Sequence, residues 1–343
     1  MTPRSTRRLD ESDVRIRPNP RGSRPRTKDR PRHEDAVTGR VLTVDRGRYT
    51  TLVDEDGPTE RVVVAMRARE IQRTGIVVGD RVGVVGDVSG TTDALARIVR
   101  VQPRATVLRR TADDSDPVER VVVANADQLV VVTSVADPAP RHRMVDRALV
   151  AAYDAGITPL LCLTKADLAD PAPFLAAYRD LDLTTLVTRR RPDGSIDGVE
   201  DVRARLTGHE TVLLGHSGVG KSTLVNALVP DADRATGSVN AVTGRGRHTS
   251  SSAVALRLPG RSGWVTDTPG IRSFGLAHVQ PQHLLRAFED LEPGSAGCPR
   301  GCSHDEPDCA LDAWVEAGNA GPHGRARLDS LRRLLRSRTE ADG

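Results

Sequence analysis

Lysine is nearly missing from this sequence, and aromatic side chains are scarce. Only Lys28, Lys165 and Lys221 among the 50 basic residues are lysine, and Phe, Trp and Tyr together make up 2% of the chain. Because few aromatic rings could stack on bases, an RNA-binding surface would depend on phosphate contacts and on shape. An ammonium and a guanidinium are not interchangeable. The positions that keep lysine in this arginine-rich chain are therefore candidates for sites that need a compact charge.

Long apolar runs are also absent, and cysteines are few. No run approaches the roughly 20 apolar residues that a membrane span requires, and the polar N-terminus lacks the apolar core of a secretory signal. Three of the four cysteines cluster near the C-terminus, which favours a metal site in a reducing compartment over a disulfide framework. We therefore expect a cytoplasmic protein with no membrane partner.

The first segment, residues 1–35, is predicted to be a disordered basic arm. It carries eleven basic residues and five prolines, and it cannot bury enough apolar surface to offset the entropy lost on ordering. Such an arm either binds RNA or serves as a solubilising tail. At 343 residues, the whole chain is long enough for two or three folded domains.

Residues 36–105 are predicted to form a small all-β barrel of the OB-fold type. Five short β-rich runs alternate with turn residues, a spacing typical of small barrels. The runs are Gly39–Val44, Tyr49–Asp54, Arg61–Ala65, Asp80–Gly86 and Ala96–Val101. Thirteen arginines against nine acids in residues 36–110 favour RNA binding through phosphates. A purely structural barrel is the alternative.

Residues 106–290 change to an α/β pattern. The buried-strand runs Gln128–Thr133 and Pro159–Leu163 flank the amphipathic segment Met144–Ala155. Strands that alternate with helices imply a mostly parallel sheet covered on both faces, with ligands bound at the carboxyl ends of its strands. A helical stretch, a further strand and a loop follow at Phe174–Leu181, Thr184–Val187 and Arg189–Gly198.

The stretch from Gly215 to Thr223 fits G-x-x-x-x-G-K-[ST], the phosphate loop of nucleoside triphosphatases. An apolar run, 211–214, precedes it and a helical pattern follows, as the motif requires. Backbone N–H groups and the helix N-terminus would bind the phosphates, with Lys221 on the outer phosphates and Ser222 on Mg²⁺. A chance glycine-rich turn is the alternative. The predicted loop residues are Gly215, His216, Ser217, Gly218, Val219, Gly220, Lys221, Ser222 and Thr223.

Two further motifs complete a GTPase set. Residues 267–270 read Asp-Thr-Pro-Gly and fit D-x-x-G, in which Asp267 would bind Mg²⁺ and the N–H of Gly270 would face the γ-phosphate. Residues 164–167 read Thr-Lys-Ala-Asp and resemble the guanine-reading motif N/T-K-x-D. The carboxylate of Asp167 can accept both N–H donors of guanine, whereas adenine offers no such pair. GTP with Mg²⁺ is therefore favoured, and an ATP-dependent kinase is disfavoured.

The segment 244–251, Gly-Arg-Gly-Arg-His-Thr-Ser-Ser, holds the candidate catalytic residue. Many GTPases carry a water-orienting glutamine after D-x-x-G, but here Ile271 follows, and its aliphatic side chain cannot align a water. His248 is the candidate because an imidazole can accept a hydrogen bond from the attacking water. RNA binding or shaping of the loop are alternatives for it. Thr249, or else Ser250, would close on Mg²⁺ when the γ-phosphate is present.

The cysteine cluster supplies three thiolates and one imidazole within twelve residues, from Cys298, Cys302, His304 and Cys309. A full Cys₃His set is typical of closed structural zinc, and four protein ligands leave no open position for catalysis. One structural Zn²⁺ is therefore predicted. Unligated cysteines are the alternative.

Residues 291–343 are predicted to combine this zinc knot with a basic helix. Leucines recur at helical spacing at Leu328, Leu331 and Leu335, so one face of the helix would pack on the protein. The other face would lie either on RNA phosphates or in solvent. Its arginines are Arg327, Arg332, Arg333, Arg336 and Arg338.

The order of the motifs is the most specific clue. Lys165 lies 56 residues before Lys221, whereas ordinary GTPases place the base-reading motif after the phosphate loop, so the core looks circularly permuted. The barrel, the permuted core, the Gly-Arg-Gly-Arg-His-Thr loop and the Cys/His cluster, in this order, resemble the ribosome small-subunit-dependent GTPase A family (RsgA, also called YjeQ). The likeness covers roughly residues 36–335.

This resemblance implies a bacterial cytoplasmic GTPase that binds the small ribosomal subunit and its rRNA late in subunit assembly, and whose hydrolysis the subunit stimulates. The chain departs from the family at three places. Thr164 replaces the usual Asn, so the tether to the phosphate loop is expected to weaken. Thr188 and Arg189 replace a Ser-Ala pair beside the base. The intervals between zinc ligands are one residue shorter than usual.

The predicted architecture is thus multidomain: an N-terminal OB-like barrel, a central α/β circularly permuted P-loop GTPase domain and a C-terminal zinc-binding helical domain. A permuted GTPase of the large subunit is one alternative, although such proteins usually lack the barrel and the zinc knot. A non-hydrolysing RNA-binding protein is another, which the intact Lys221, Ser222 and Asp267 disfavour. A monomer is expected, with no DNA partner.

Overall fold

The computed structural model describes residues 33–71, 75–91, 93–110, 120–230, 253–268, 276 and 279–339. Within these residues the strands, in chain order, are β1 Val37–Asp45, β2 Arg48–Val53, β3 Arg61–Arg67, β4 Arg81–Gly86, β5 Ala96–Val101, β6 Val107–Arg110, β7 Arg120–Ala124, β8 Gln128–Ser134, β9 Thr158–Thr164, β10 Thr184–Val187, β11 Arg189–Arg190, β12 Ile196–Asp197, β13 Glu210–Leu214, β14 Val254–Arg257 and β15 Trp264–Asp267.

The α-helices of the same residues are α1 His142–Asp154, α2 Ala172–Leu175, α3 Val199–Leu206, α4 Lys221–Leu228, α5 Pro281–Leu285, α6 Ala310–Glu316 and α7 Gly324–Thr339. Short 3₁₀ turns occur at Arg69–Ile71, Ala176–Tyr178, Pro259–Arg261 and Glu292–Gly297. None of the helices described is long and apolar enough to cross a membrane.

Strands β1 to β5 close into a barrel, as the sequence predicted. Their order is β1-β2-β3-β5-β4, and β4 pairs back onto β1. The pairs are antiparallel except for β3 with β5, which is parallel. Alternate aliphatic side chains point inward and fill the interior, because successive residues of a strand face opposite sides. Among them are Val41, Val53, Val63, Val82 and Ile98, each 0–1% exposed.

The central sheet contains five parallel strands in the order β10-β9-β8-β13-β15. One face is covered by α1, α5 and α7, and the other by α3 and α4. All seven residues of β8 are buried, which explains its unbroken apolar run, since strands covered on both faces need no polar alternation. The predicted mostly parallel α/β core is confirmed.

Strand β14 joins this core to the barrel. It lies antiparallel to β15, and Val254 at its start pairs with Thr43 of β1. The barrel and the core therefore form one sheet of eleven strands. The sequence did not predict β14, nor the hairpin of β6 with β7. The predicted loop at 189–198 contains the small ribbon β11–β12.

The C-terminal helix α7 packs against α1, α5 and α6. Its leucine stripe is fully buried, and these leucines share one apolar cluster with α1 and the central sheet. The stripe consists of Leu328, Leu331, Leu334 and Leu335. Helix α7 is thus a structural part of the core, and its position depends on α1 beneath it.

Candidate functional site

The phosphate loop connects the end of β13 to the start of α4. Gly218 and Gly220 have φ values of 84° and 87°, in the left-handed region that favours glycine. A Cβ on Gly215 would lie 2.4 Å from the carbonyl oxygen of Val132, so only glycine fits against β8 here. Gly220 caps α4 without a side-chain hydrogen bond, which leaves the first N–H groups of the helix available to an anion.

A cleft of about 870 Å³ opens along this loop. It is lined by the whole loop, 215–223, together with Thr133 at the end of β8, Lys165 after β9 and Asp267 at the end of β15. The cleft therefore lies at the carboxyl ends of the parallel strands, where ligands of open α/β sheets bind. Arg141, just before α1, also lines it. Arg141 was not predicted as a site residue, because it belongs to no recognisable motif.

Lys221 and Asp267 meet in this cleft. The Nζ atom of Lys221 donates a hydrogen bond to Asp267 Oδ1 and another, of 3.0 Å, to the carbonyl oxygen of Thr268. The Lys221 side chain is 9% exposed and that of Asp267 is 27% exposed. The Thr268 hydroxyl donates to the carbonyl of Leu213 at 2.7 Å, which fixes the end of β15 against β13. The two motifs are thus in direct contact.

A second cavity, of about 290 Å³, adjoins the first and shares Lys165 and Gly220 with it. Asp167 and the apolar side chain of Leu168 line it, and Leu168 is 55% exposed. Asp167 Oδ1 accepts a 2.8 Å hydrogen bond from the backbone N–H of Arg190. This bond lowers the pKa of Asp167 below its ordinary value, so the carboxylate stays charged and oriented.

Thr164, Thr188 and Arg189, which depart from the family pattern, also line this cavity. The hydroxyl of Thr164 donates to the carbonyl oxygen of Val219 and, at 3.4 Å, to that of Thr133. A hydrogen bond from β9 to the phosphate loop therefore exists with threonine in place of asparagine. Thr188 and Arg189 line the cavity, and the backbone N–H of Thr188 donates to Leu163 at 2.8 Å.

The four predicted zinc ligands converge in space. Their donor atoms all lie within 4.8 Å of one another. Cys298 Sγ is 3.6 Å from His304 Nδ1 and 3.8 Å from Cys309 Sγ, and the last two atoms are 3.9 Å apart. Zinc–ligand bonds of about 2.0–2.3 Å imply tetrahedron edges of roughly 3.3–3.8 Å. The donor set and spacing fit one tetrahedral Zn²⁺, although the sequence intervals are short. The remaining cysteine, Cys162, is fully buried in β9.

The arginines of α7 are engaged with acidic side chains and carbonyls of neighbouring segments, and the RNA-facing surface that the sequence offered as one interpretation stays a prediction. Arg332 forms a bidentate pair with Asp312 of α6 at 3.0 and 2.5 Å, and donates to the carbonyl of His304 at 3.0 Å. Arg327 pairs with Asp290 at 2.7 Å. Because α7 is packed into the core, its arginines bind acids and carbonyls of neighbouring segments. The others do the same: Arg333 with Asp146, Arg336 with Asp305, and Arg338 with the carbonyl of Val279.

Several predicted site residues lie outside the described residues. They include the candidate catalytic His248, the candidate Mg²⁺ ligand Thr249 with its alternative Ser250, and Gly270 with Ile271. The basic arm, except its last three residues, lies outside them as well. These expectations remain predictions.

Comparison with known proteins places this geometry in a family. A family model described as RsgA GTPase matches residues 101–277. "Small ribosomal subunit biogenesis GTPase RsgA" of Chromohalobacter salexigens is 36% identical over 306 residues, covering 87% of this chain and 83% of the relative. "Small ribosomal subunit biogenesis GTPase RsgA 1" of Vibrio vulnificus is 33% identical over 353 residues, covering 97% and 95%.

Two solved structures share the fold. YjeQ from Thermotoga maritima superposes with a TM-score of 0.62 at 23% identity and covers 89% of this chain and 99% of its own. YloQ, described as a circularly permuted GTPase, superposes with a TM-score of 0.59 at 23% identity and covers 92% and 100%. The predicted barrel and permuted core are thereby confirmed, and the chain belongs to the RsgA GTPase family.

Proposed function

We propose that this chain is a cytoplasmic GTPase that binds the small ribosomal subunit and hydrolyses GTP to GDP and phosphate during late subunit maturation. The observation that carries the proposal is the continuity of two cavities, one along the phosphate loop and one at Asp167, which share Lys165 and Gly220. A nucleoside triphosphate with a guanine base matches both cavities, its phosphates the one along the phosphate loop and its base the one at Asp167. The relatives are named as small ribosomal subunit biogenesis GTPases.

The chain's own residues bind and orient the nucleotide. Backbone N–H groups at the start of α4 would receive the phosphates, and Lys221 would exchange its bond to Asp267 for the outer phosphate oxygens. Asp167, already held by the N–H of Arg190, would accept the two N–H donors of guanine. Lys165 lines both cavities, so its stem would lie between base and phosphates.

The same residues fit a magnesium ion. Mg²⁺ prefers hard oxygen ligands and usually binds through one or two protein groups plus phosphates. Ser222 and Asp267 offer a hydroxyl and a carboxylate in the phosphate cleft, and Thr249 remains the third candidate. When bound with GTP, the ion neutralises charge that develops on the phosphate oxygens. His248 remains the proposed group that orients water.

The zinc site has a different proposed role. A closed Cys₃His set holds structure rather than performing chemistry, and Arg332 links this site to α7 through the carbonyl of His304. One Zn²⁺ would therefore hold the segment 298–309 in the shape that α7 packs against.

The proposed contact with rRNA is supported by the outer face of the barrel. Met66 of β3 pairs with Arg48 of β2 on one side and with Arg97 of β5 on the other. All three are exposed, so two guanidinium groups flank an apolar side chain across three strands. Phosphate contacts from such groups weaken steeply with salt. The proposed working unit is a monomer, and DNA is not a proposed partner.

The test is GTP hydrolysis measured with and without purified small subunits, beside large subunits and an ATP control. Stimulation by the small subunit alone is expected. Stimulation by the large subunit would move the chain to the other permuted class, and hydrolysis of ATP at an equal rate would overturn the guanine assignment. No hydrolysis under any condition, with Lys221→Ala unchanged from wild type, would leave an RNA-binding protein.

A further inference from the structure

The hairpin of β14 and β15 reaches from the nucleotide cleft to the barrel. At the cleft end, Val254 pairs with Asp267, and residue 254 follows closely on the segment 231–252, which carries the candidate catalytic loop. At the opposite end, Arg257 pairs with Trp264. Asp267 lies three residues after Trp264 in β15, about 10 Å away at the usual rise per residue. A short, hydrogen-bonded stretch of strand therefore connects the Trp264 end of the hairpin to Asp267.

The barrel contacts the cleft end of the hairpin through the pairing of Thr43 with Val254, and it contacts the Trp264 end more extensively. Trp264 is 8% exposed, and its indole N–H donates to Glu55 Oε1 at 2.9 Å. The guanidinium carbons of Arg40 and Arg257 lie 4.7 and 5.3 Å from the centre of the Trp264 ring. Leu42 of the barrel shares an apolar cluster with Trp264. Three residues of the barrel thus contact Trp264, the first residue of β15. They are Glu55, Arg40 and Leu42.

The turn between β2 and β3 holds the other strand of the hairpin. Arg257 donates to Glu60 Oε2 at 2.7 Å and also to Asp56. Arg261, in the hairpin turn, donates to Glu60 Oε1 at 3.0 Å. Arg257 and Glu60 are each 18% exposed, so this pair is far better shielded from solvent than an ordinary surface ion pair.

A third contact ties the network to the strand that leads into the phosphate loop. Arg40 is 3% exposed. It donates to both oxygens of Glu210 at 2.7 and 2.6 Å and to Glu55 at 3.1 Å. Glu210 begins β13 and pairs with Trp264. Four arginines and four acids balance one another here, so the network is not an anion site. They are Arg40, Arg81, Arg257, Arg261, Glu55, Asp56, Glu60 and Glu210.

We propose that Arg257 and Trp264 are positioning residues through which the barrel sets the placement of Asp267. The inference rests on the proposed function: when the barrel engages the small subunit, the network moves the hairpin as a unit, and Asp267 with it. Strand pairing preserves register, so a displacement of Trp264 is transmitted along β15 to Asp267. By linkage, the coupling acts in both directions. Loss of the ion pairs would uncouple subunit binding from hydrolysis and leave nucleotide binding intact.

The experiment is a charge-reversal cycle with Arg257→Glu, Glu60→Arg and the double variant. Each is assayed in full-length protein for labelled-GDP affinity, basal hydrolysis, and hydrolysis with small subunits. We expect each single variant to bind GDP within twofold of wild type and to lose at least fivefold of the subunit stimulation. The double variant restores one opposite-charge pair but leaves the new acid beside Asp56 and the new base beside Arg261, so it should lose less stimulation than the product of the two single losses. Asp201→Asn, on the exposed side of α3, is the matched control.

The outcomes separate the two proposals. Wild-type protein that small subunits do not stimulate would overturn the proposed function and the inference with it. A stimulated wild type with equally stimulated single variants would overturn the inference alone, as would a folded double variant whose loss equals the full product of the two single losses. If a reversal fails to fold, Arg257→Gln replaces it. It keeps part of the stem over Trp264, and the same fivefold loss is required of it.

Discussion

The Nζ atom of Lys221 donates a hydrogen bond to a carboxylate oxygen of Asp267. The lysine of the phosphate loop and the aspartate of D-x-x-G, 46 residues apart in the chain, are therefore held together across the cleft. In the proposed nucleotide complex, phosphate oxygens would compete with this carboxylate for the same ammonium. Release of Asp267 would free it for Mg²⁺, so the proposed sites would couple binding of the phosphates and of the metal through one side chain.

We expect Lys221→Ala to lower the rate of GTP hydrolysis by about 100-fold or more, since it removes a fixed charge from the phosphates. Lys221→Arg should not restore the rate, because a planar guanidinium does not replace a compact ammonium at 9% exposure. Phosphate release is the measurement. Asn226→Ala, at an exposed position of α4, is the control. A wild-type rate in Lys221→Ala would refute the role given to it.

Asp167→Asn should change the base that is recognised. Asp167 would accept two N–H donors of guanine, and a hydrogen bond to a charged group is worth about 1.5–3 kcal/mol. GDP affinity is therefore expected to fall roughly 100-fold. Xanthosine diphosphate should bind better than to wild type, because asparagine can donate to its extra carbonyl. Competition titrations with both nucleotides provide the measurement, and an unchanged preference for GDP would contradict the assignment.

Contiguous signals made the phosphate loop predictable. Gly215, Gly220 and Lys221 lie within one short turn, and local backbone requirements dictate their spacing. The barrel strands were equally readable, because a two-residue alternation follows from strand geometry itself. The contact between the carbonyl of Val219 and the hydroxyl of Thr164 was not predictable in this way. Their hydrogen bond joins β9 to the phosphate loop, 55 residues along the chain, and the sequence suggested only a weaker tether.

Contacts between distant segments could not be read from the sequence. Arg40 and Glu210 lie 170 residues apart, and no periodicity connects them. The N–H of Arg190, which orients Asp167, belongs to the main chain and leaves no compositional trace. The arginines of α7 show the same limit. Their charge was consistent with an RNA surface or with a solvated face, and the sequence did not show that Arg332 is 12% exposed and paired with Asp312, because tertiary packing decides which charges reach solvent.

Substitution of a zinc-site cysteine and substitution of the buried Cys162 should have different effects on zinc content and stability. Cys298→Ser is expected to lose the single zinc and to lower the unfolding midpoint by roughly 5 °C or more, since metal binding supplies folding free energy. Cys162→Ala, at a fully buried position of β9, should keep one zinc per chain. Elemental analysis and circular dichroism melting are the measurements. Zinc retained in Cys298→Ser would show that the four ligands do not act together.

Replacing Arg332 should destabilise the protein, because it joins α7 to both α6 and the zinc segment. Loss of its bidentate bond to Asp312 and its bond to the His304 carbonyl is expected to cost about 2 kcal/mol. Arg325→Ala removes another arginine that contacts Asp312 but is 63% exposed, and should cost less than about 0.5 kcal/mol. Urea unfolding of the two variants decides; equal costs would refute the structural role of Arg332.

Asp146 should make stability depend on pH. Burial raises the pKa of its carboxyl from 3.8 to about 6, although Arg333 opposes this shift. The folded state therefore holds the proton more tightly than the unfolded state, and stability falls as pH rises from about 4 to 6, by roughly 3 kcal/mol. Tyr178 and Arg333 face the carboxyl.

The check is the difference in unfolding free energy between wild type and Asp146→Asn across pH 4 to 7. Wild type should lose stability relative to the variant as pH rises. Asp201→Asn, which replaces an exposed carboxylate of α3, controls for the change in net charge. A difference that stays constant, or that grows in favour of wild type toward pH 7, would contradict a raised pKa at Asp146.

Circular permutation places the D-x-x-G motif of this chain directly ahead of its C-terminal helices. The chain leaves the cleft at Thr268, which is 2% exposed, and is buried again at Leu276, which is 0% exposed, ahead of α5. Eight peptide steps span at most roughly 29 Å. On the other side, β14 pairs with both β1 and β15. The strand that ends at Asp267 is therefore joined to the barrel through one hydrogen-bonded sheet and to α5 through a connection of limited reach, which together bound how far these parts can separate.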